Sequence, residues 1–247
     1  MDRLTSTDRD RFWFLEVYAR DRWVESVAKS LAPGSKILDA GAGASKYRPL
    51  FAHCEYQTQD FCRYEGPLVR YVQPIDLVCE ITAIPLPTAS LDAILCTEVF
   101  EHLVDPMAAL AEFNRLLKPG GKLFLTAPML SHMHMEPFHF YAGFTRHWYE
   151  HWLPAKGFAV ESMTPVGGPG RSAVVFLQTY YLSWSEREKK LGPLARFGSM
   201  IPRAVAKLFV HYLLPATLPK LDPWLGTKLV CSSYLVTGVR TRAPNAS

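Results

Sequence analysis

Residues 36–47, KILDAGAGASKY, constrain this chain more than any other stretch. Ile37 and Leu38 make a short apolar run that closes on an acid, Asp39, the pattern of a buried parallel strand surfacing at its C-terminal edge. Gly41 and Gly43 follow directly. They tolerate positive φ and leave the peptide groups bare, so a flat or charged ligand can approach closely. The expectation is an α/β sheet with a nucleotide-like ligand at the end of its first strand.

Strand and helix patterns along the rest of the chain supply that sheet. Phe12, Leu15, Tyr18, Ala19, Trp23, Val27 and Leu31 recur at helical spacing before Pro33-Gly34, so residues 1–32 read as an N-terminal helical cap. Strands are expected at 55–59 with Asp60 at the end, at 68–72, 91–98, 122–127, 158–166 and 229–239. Helices are expected at 45–52, at 107–117 behind an Asp105-Pro106 start and ahead of a KPGG stop, and at 146–153. This alternation predicts a doubly wound, mostly parallel sheet. Residues 33–170 form the cofactor-binding core, Gly167–Gly170 a breaker, 171–228 a basic helical insertion, 229–241 the last strand and 242–247 a flexible tail.

A dinucleotide fingerprint would carry a third glycine where Lys46 stands, and here an acid immediately precedes the turn. The order D-x-G-x-G, Asp60 closing a second strand, Glu80-Ile81 before I-P-L-P, then TEVFEHL and RLLKPGGKLFL resembles the class I S-adenosylmethionine-dependent methyltransferases over residues 31–166. The resemblance implies a seven-stranded Rossmann-like methyltransferase fold with S-adenosyl-L-methionine as cofactor. It implies that Ala40, Gly41, Ala42 and Gly43 lie against the methionine and ribose, with Asp39 fixing the turn and the ammonium. Asp60 would accept both ribose hydroxyls. Phe61 would flank the adenine, Glu80 would meet its amino group in place of the family's usual Asp, and Ile81 would pack on the ring. Glu98 stands just past the fourth strand, beside the methyl-transfer centre.

Glu98, Glu101 and His102 share one face if a helix begins there. In this respect the chain is similar to the metal-dependent small-RNA 3′-end methyltransferases and ubiquinone-pathway O-methyltransferases, which add a later His; His132, His134 and His139 lie in that region. The same motif occurs in relatives without a metal, where it builds the cofactor pocket, and no metal is expected here. Methyl transfer from an activated sulfonium depends chiefly on alignment, worth roughly 7–11 kcal/mol. A hydroxyl acceptor also gains from a base, and His102 and His139 are the candidates.

Charge is concentrated rather than spread. Residues 171–228 hold nine Lys/Arg against three acids, whereas the whole chain is +4. Within 201–214, Arg203, Lys207 and His211 recur every four residues opposite an apolar face. Such a helix either packs on the core with a solvated basic stripe or lies on an anionic membrane surface. Nucleic acid is the weaker partner, because long apolar runs interrupt the basic residues. Five cysteines without a C-x-x-C pair, a charged start and no run of about 20 apolar residues suggest a cytoplasmic chain, peripheral at most to the inner face of the membrane. The expected activity is methyl transfer to a hydroxyl of a small-molecule, glycan or lipid-linked acceptor. The alternatives are an RNA ribose methyltransferase with a metal-assisted site and a noncatalytic cofactor-binding partner protein.

Overall fold

The computed structural model describes residues 15–189, 200–226 and 230–241. Seven strands form one sheet: β1 (Lys36–Ala40), β2 (Glu55–Asp60), β3 (Leu77–Val78), β4 (Leu91–Thr97), β5 (Leu117–Pro128), β6 (Phe158–Val166) and β7 (Ser233–Arg240). Their order is β3-β2-β1-β4-β5-β7-β6. The pairs among β1 to β5 are parallel, and β7 runs antiparallel to both β5 and β6. The sheet is therefore mostly parallel, as expected, with one antiparallel strand, β7, as a small departure.

Helices cover both faces. On one side α1 (Leu15–Ser30) packs Val24, Val27 and Ala28 with Phe51, Leu95 and Phe124. On the other, α2 (Pro106–Leu116) and α3 (Arg146–Ala155) bury Leu110, Phe113, Tyr149 and Leu153 with Ile94, Leu125 and Val236. Covering both faces is why β4 reads as a nearly unbroken apolar run rather than an alternating one. The starts of α2 and α3 are set locally. Asp105 accepts the Ala108 N–H at 2.9 Å with Pro106 behind it, and the Thr145 side chain accepts from the Trp148 N–H.

Four local expectations change. Residues 68–72 are not a strand: Leu68 and Val72 are exposed, and the sheet edge is the two-residue β3 instead. KPGG does follow the end of α2, but β5 takes these residues into its first half, with a shift in pairing between Leu91↔Leu117 and Ala93↔Lys122. The helix at 45–52 shrinks to one 3-10 turn, Arg48–Phe51. The breaker at 167–170 is the start of a helix, α4 (Pro169–Lys189). A Cβ on Gly170 would stand 2.2 Å from the Leu218 carbonyl oxygen, so glycine admits the returning chain there. Asp222 of that returning chain accepts the Gly170 N–H at 2.6 Å, capping α4 from 52 residues away.

After α4, α5 (Met200–Leu208) runs through a π turn, Phe209–Leu213, into short helical turns ending at Leu225. The expected cap before Leu15, the basic residues Lys190 and Arg196, and the tail 242–247 lie outside the described residues. Among the described residues no helix is long and apolar enough to cross a membrane.

Candidate functional site

The C-terminal ends of β1, β2, β4 and β5 meet the start of β7 at one edge of the sheet, and the site is built there. Gly41 sits at φ +73°, and a Cβ on it would lie 2.4 Å from Val99 Cγ2, so only glycine fits both the turn and the wall opposite. The end of β2 ties the turn down. The Gln59 carbonyl accepts the N–H groups of Gly41 and Ala42 at 2.8 and 3.0 Å, and Asp60 Oδ2 accepts that of Gly43 at 2.9 Å. Asp60 Oδ1 accepts from the Cys62 N–H at 3.0 Å and the Tyr71 hydroxyl at 3.1 Å.

In front of this turn opens a cavity of about 390 Å³, a size that suits a small-molecule ligand. Gly41, Gly43, Asp60, Phe61, Glu80, Ile81 and Glu98 all stand on its wall. Phe61 meets Phe138 edge-on at 5.0 Å, and the Arg63 guanidinium lies over the Phe61 ring while also pairing with Glu80. Of the remaining residues expected at the turn, Asp39, Ala40 and Ala42 lie behind it rather than on the wall. The Asp39 carboxylate accepts the Tyr56 hydroxyl. Burial pushes Asp39 up to about 7; the Tyr56 hydrogen bond opposes this and the Asp60 charge adds to it.

Past β4 the expected common face of Glu98, Glu101 and His102 does not form. Glu98 has φ +54°, and the 3-10 turn begins only at Phe100. Glu98 turns instead to the Thr126 hydroxyl, which donates to Oε1 at 2.8 Å, and to Arg20 Nη1, 3.7 Å from Oε2. Glu101 is 1% exposed and its Oε2 has no hydrogen-bond partner. Burial, then the Glu98 charge, hold its carboxyl well above the ordinary range. His102 Nδ1 donates to the Phe138 carbonyl at 2.5 Å, leaving Nε2 as its acceptor end, 3.6 Å from Glu101 Oε1. Burial lowers the His102 imidazole to about 4, so it is neutral at pH 7.

His102 lines the cavity and His139 does not. The His139 ring lies 4.7 Å from that of His134 and 5.8 Å from that of His102, and its buried Nε2 has no hydrogen-bond partner. Donor atoms of Glu101, His102 and His134 lie within 4.8 Å of one another, so the histidine that joins this group is His134.

Sequence reasoning missed Gln59, Arg63, Val69 and Tyr71 on the same cavity, and all of a second chamber beside it except Glu98 and His132. That chamber, about 130 Å³, takes its walls from α1, the residue after β4, the end of β5 and the loop that follows it, α4 and the start of β7. Glu98 belongs to both cavities.

Residues 38–125 match a family described as a methyltransferase domain. The ubiquinone biosynthesis O-methyltransferase of Xanthomonas axonopodis pv. citri is 54% identical over 119 residues, 42% of this chain and 47% of that protein. Its counterpart in Xanthomonas oryzae pv. oryzae is 56% identical over 39 residues, 16% of each chain. This chain thus spans less than half the length of these curated relatives. Among solved structures, the methyltransferase in complex with the Haloferax volcanii Trm112 methyltransferase activator superposes with a TM-score of 0.56 at 16% identity, covering 95% of this chain and 91% of that one. The phosphoethanolamine N-methyltransferase 2 of Haemonchus contortus, bound to phosphomonomethylethanolamine and S-adenosylhomocysteine, gives 0.52 at 13% identity over 91% of this chain and 53% of that one. At such identities the likeness establishes the fold.

Proposed function

We propose that this chain, a class I methyltransferase by its fold and by its match over residues 38–125, transfers a methyl group from S-adenosylmethionine to a hydroxyl of a small, glycan or lipid-linked acceptor. The carrying observation is the 390 Å³ cavity that runs from the Gly41–Gly43 turn past Asp60 and Phe61 to Glu98. In this reading the bare peptide groups of the turn meet the methionine end of the cofactor. Asp60 accepts the ribose hydroxyls on lone pairs left beside its three protein donors, since a carboxylate has about four acceptor positions. Phe61 and Ile81 enclose the adenine, with Glu80 at its rim. Asp39 acts from behind the turn, through Tyr56. Of the two histidines expected to act as bases, His102 alone lines the cavity.

O-Methylation is favoured by the printed activity of the Xanthomonas relatives, and the cofactor by the S-adenosylhomocysteine held by the Haemonchus enzyme. Calorimetric titration with S-adenosylhomocysteine is expected to show one site at micromolar affinity. Isotope from methyl-labelled cofactor is expected to enter an ether-linked methyl in a cell extract, with excess chelator making no difference because the reading assigns no metal. No binding in the titration would remove the function. Label that requires an added divalent ion would assign that ion to Glu101, His102 and His134.

The partner proposed for 201–214 is an anionic membrane surface at the inner face of the membrane. Val205, Leu208, Phe209, Tyr212 and Leu213, continued by Leu221, Trp224 and Leu225, recur three or four apart, and each is about half exposed or more, Trp224 at 89%. Exposed lysines, Lys207 and Lys220, flank them. The opposite side is turned inward, with the His211 ring edge-on to Tyr181 at 5.0 Å. An apolar stripe of this size beside lysines matches an interfacial helix. The chain is expected to pellet with vesicles containing anionic phospholipid and to stay in solution once Leu208→Asp and Trp224→Asp are combined. Equal pelleting of both proteins would refute the assignment.

A further inference from the structure

We infer that the 130 Å³ chamber seats the reacting end of the acceptor, that it takes a polyhydroxylated six-membered ring, and that Glu98 holds the hydroxyl that receives the methyl. This rests on the methyl-transfer reading above and adds to it the acceptor's chemistry.

Position comes first. The chamber adjoins the cofactor cavity at the sheet edge, and Glu98 is the one residue on the walls of both. A group bonded to Glu98 from the chamber side therefore stands beside whatever the cofactor cavity presents there. His102 borders the cofactor cavity alone. Size comes second. A dry cavity of about 150 Å³ accepts benzene, so 130 Å³ fits one six-membered ring and not a fused pair.

Wall chemistry then selects the occupant. The chamber's polar lining is Glu16, Glu98, His132 and four serines, Ser172 among them, and its apolar lining includes Leu130, Val175 and Phe176. Carboxylates only accept hydrogen bonds, so a group bonded to them must donate. An ammonium would also donate, but each carboxylate already faces a guanidinium: Arg20 Nη1 lies 3.7 Å from Glu98 and Arg171 Nε 3.5 Å from Glu16. With that charge balanced, a neutral hydroxyl fits where a further cation does not. Ser172 is 6% exposed, and its Oγ has no hydrogen-bond partner among the described residues. Ser232, by contrast, donates to Glu16 Oε1 at 3.0 Å. The open Ser172 hydroxyl is a polar group already dehydrated and waiting for a ligand, with Phe176 one helical turn further along α4 to cover a ring face.

The step balances. The acceptor oxygen forms the new bond to the methyl carbon as the carbon–sulfur bond breaks, and that electron pair stays on sulfur, converting the sulfonium to a neutral thioether. The hydroxyl proton passes to the Glu98 carboxylate and from there to water.

The test uses the full chain saturated with S-adenosylhomocysteine. 1,2-Dihydroxybenzene and methyl glucopyranoside are the probes, one aromatic and one saturated, with cyclohexylamine as the cationic control. Ligand-observed NMR is expected to show at least one hydroxylated ring binding in the millimolar range and cyclohexylamine not binding. Ser172→Leu, which fills the chamber, should weaken that ring at least tenfold while S-adenosylhomocysteine affinity stays within threefold. Glu98→Gln should lower turnover on any identified acceptor at least a hundredfold with the acceptor KM changed far less. If S-adenosylhomocysteine binds but neither ring does, or if Ser172→Leu leaves the ring in place, the chamber assignment is overturned. If S-adenosylhomocysteine itself fails to bind, the methyltransferase reading fails instead. Preferential binding of cyclohexylamine would overturn the hydroxyl class, and a Glu98→Gln protein with unimpaired turnover would remove Glu98.

Discussion

Replacing Asp60 with alanine is expected to weaken S-adenosylhomocysteine binding at least a hundredfold and to lower folding stability by about 2–4 kcal/mol. The carboxylate is nearly buried and gathers three donors: the Gly43 and Cys62 N–H groups and the Tyr71 hydroxyl. Removing it leaves these part-buried donors without their acceptor and frees the glycine turn on one side. In the bound state the ribose loses its acceptor as well, so the two effects add. Asp60→Asn keeps one acceptor oxygen but must turn an NH₂ toward a donor, and it should fall between wild type and alanine. Glu80→Ala supplies the contrast. Its side chain is more than half exposed and is paired with an equally exposed Arg63, so its loss should change affinity only a few-fold and stability hardly at all. Calorimetric titration with urea unfolding measures both quantities. Affinity within threefold of wild type for Asp60→Ala would take Asp60 out of the binding site.

What could be read from the sequence follows the range of the interactions involved. The strands at 36–40 and 55–60 and the glycine turn between them were legible because a strand, a glycine turn and the acid ending the next strand are local patterns. The Asp105-Pro106 start of α2 and the span of β6 were legible for the same reason. At 68–72 the apolar, β-branched run suggested a strand, yet Val69 and Tyr71 line the 390 Å³ cavity: Val69 Cγ1 lies 3.3 Å from where a Cβ on Gly43 would stand, and Tyr71 binds Asp60. A run that covers a ligand site has strand-like composition without a strand partner. Spacing misplaced Glu98 because i, i+3 faces assume a helix, whereas φ +54° at Glu98 turns its side chain toward Thr126 and Arg20. The second chamber as a whole had no signature. Its polar lining comes from positions 16, 98, 131, 132, 172, 232 and 233, and no spacing rule joins a serine to a glutamate 216 residues away.

Asp39→Asn is expected to stabilise the ligand-free protein at pH 8 and to leave it unchanged at pH 4. Asp39 is fully buried, and burial raises its carboxyl from an ordinary value of 3.8 to about 7 in the folded state. The folded chain therefore binds the proton more tightly than the unfolded chain. The stability this protonated form contributes is complete below the unfolded value and is lost as the pH rises through about 7. At about 1.4 kcal/mol per pH unit the loss has an upper bound of ~4 kcal/mol by pH 8. Asparagine cannot ionise and can still accept the Tyr56 hydroxyl, so it avoids that loss. Its melting temperature at pH 8 should exceed wild type by several degrees. Binding should move the other way. If the ionised carboxylate behind the turn favours the cofactor's ammonium, wild-type affinity for S-adenosylhomocysteine rises between pH 6 and 8, whereas the Asn variant binds more weakly with a flat profile. A buried acid kept at a stability cost would then be retained for the ligand's charge. Parallel stability curves for the two proteins from pH 4 to 8 would show that Asp39 ionises in the fold as it does in water, and the coupling would be absent.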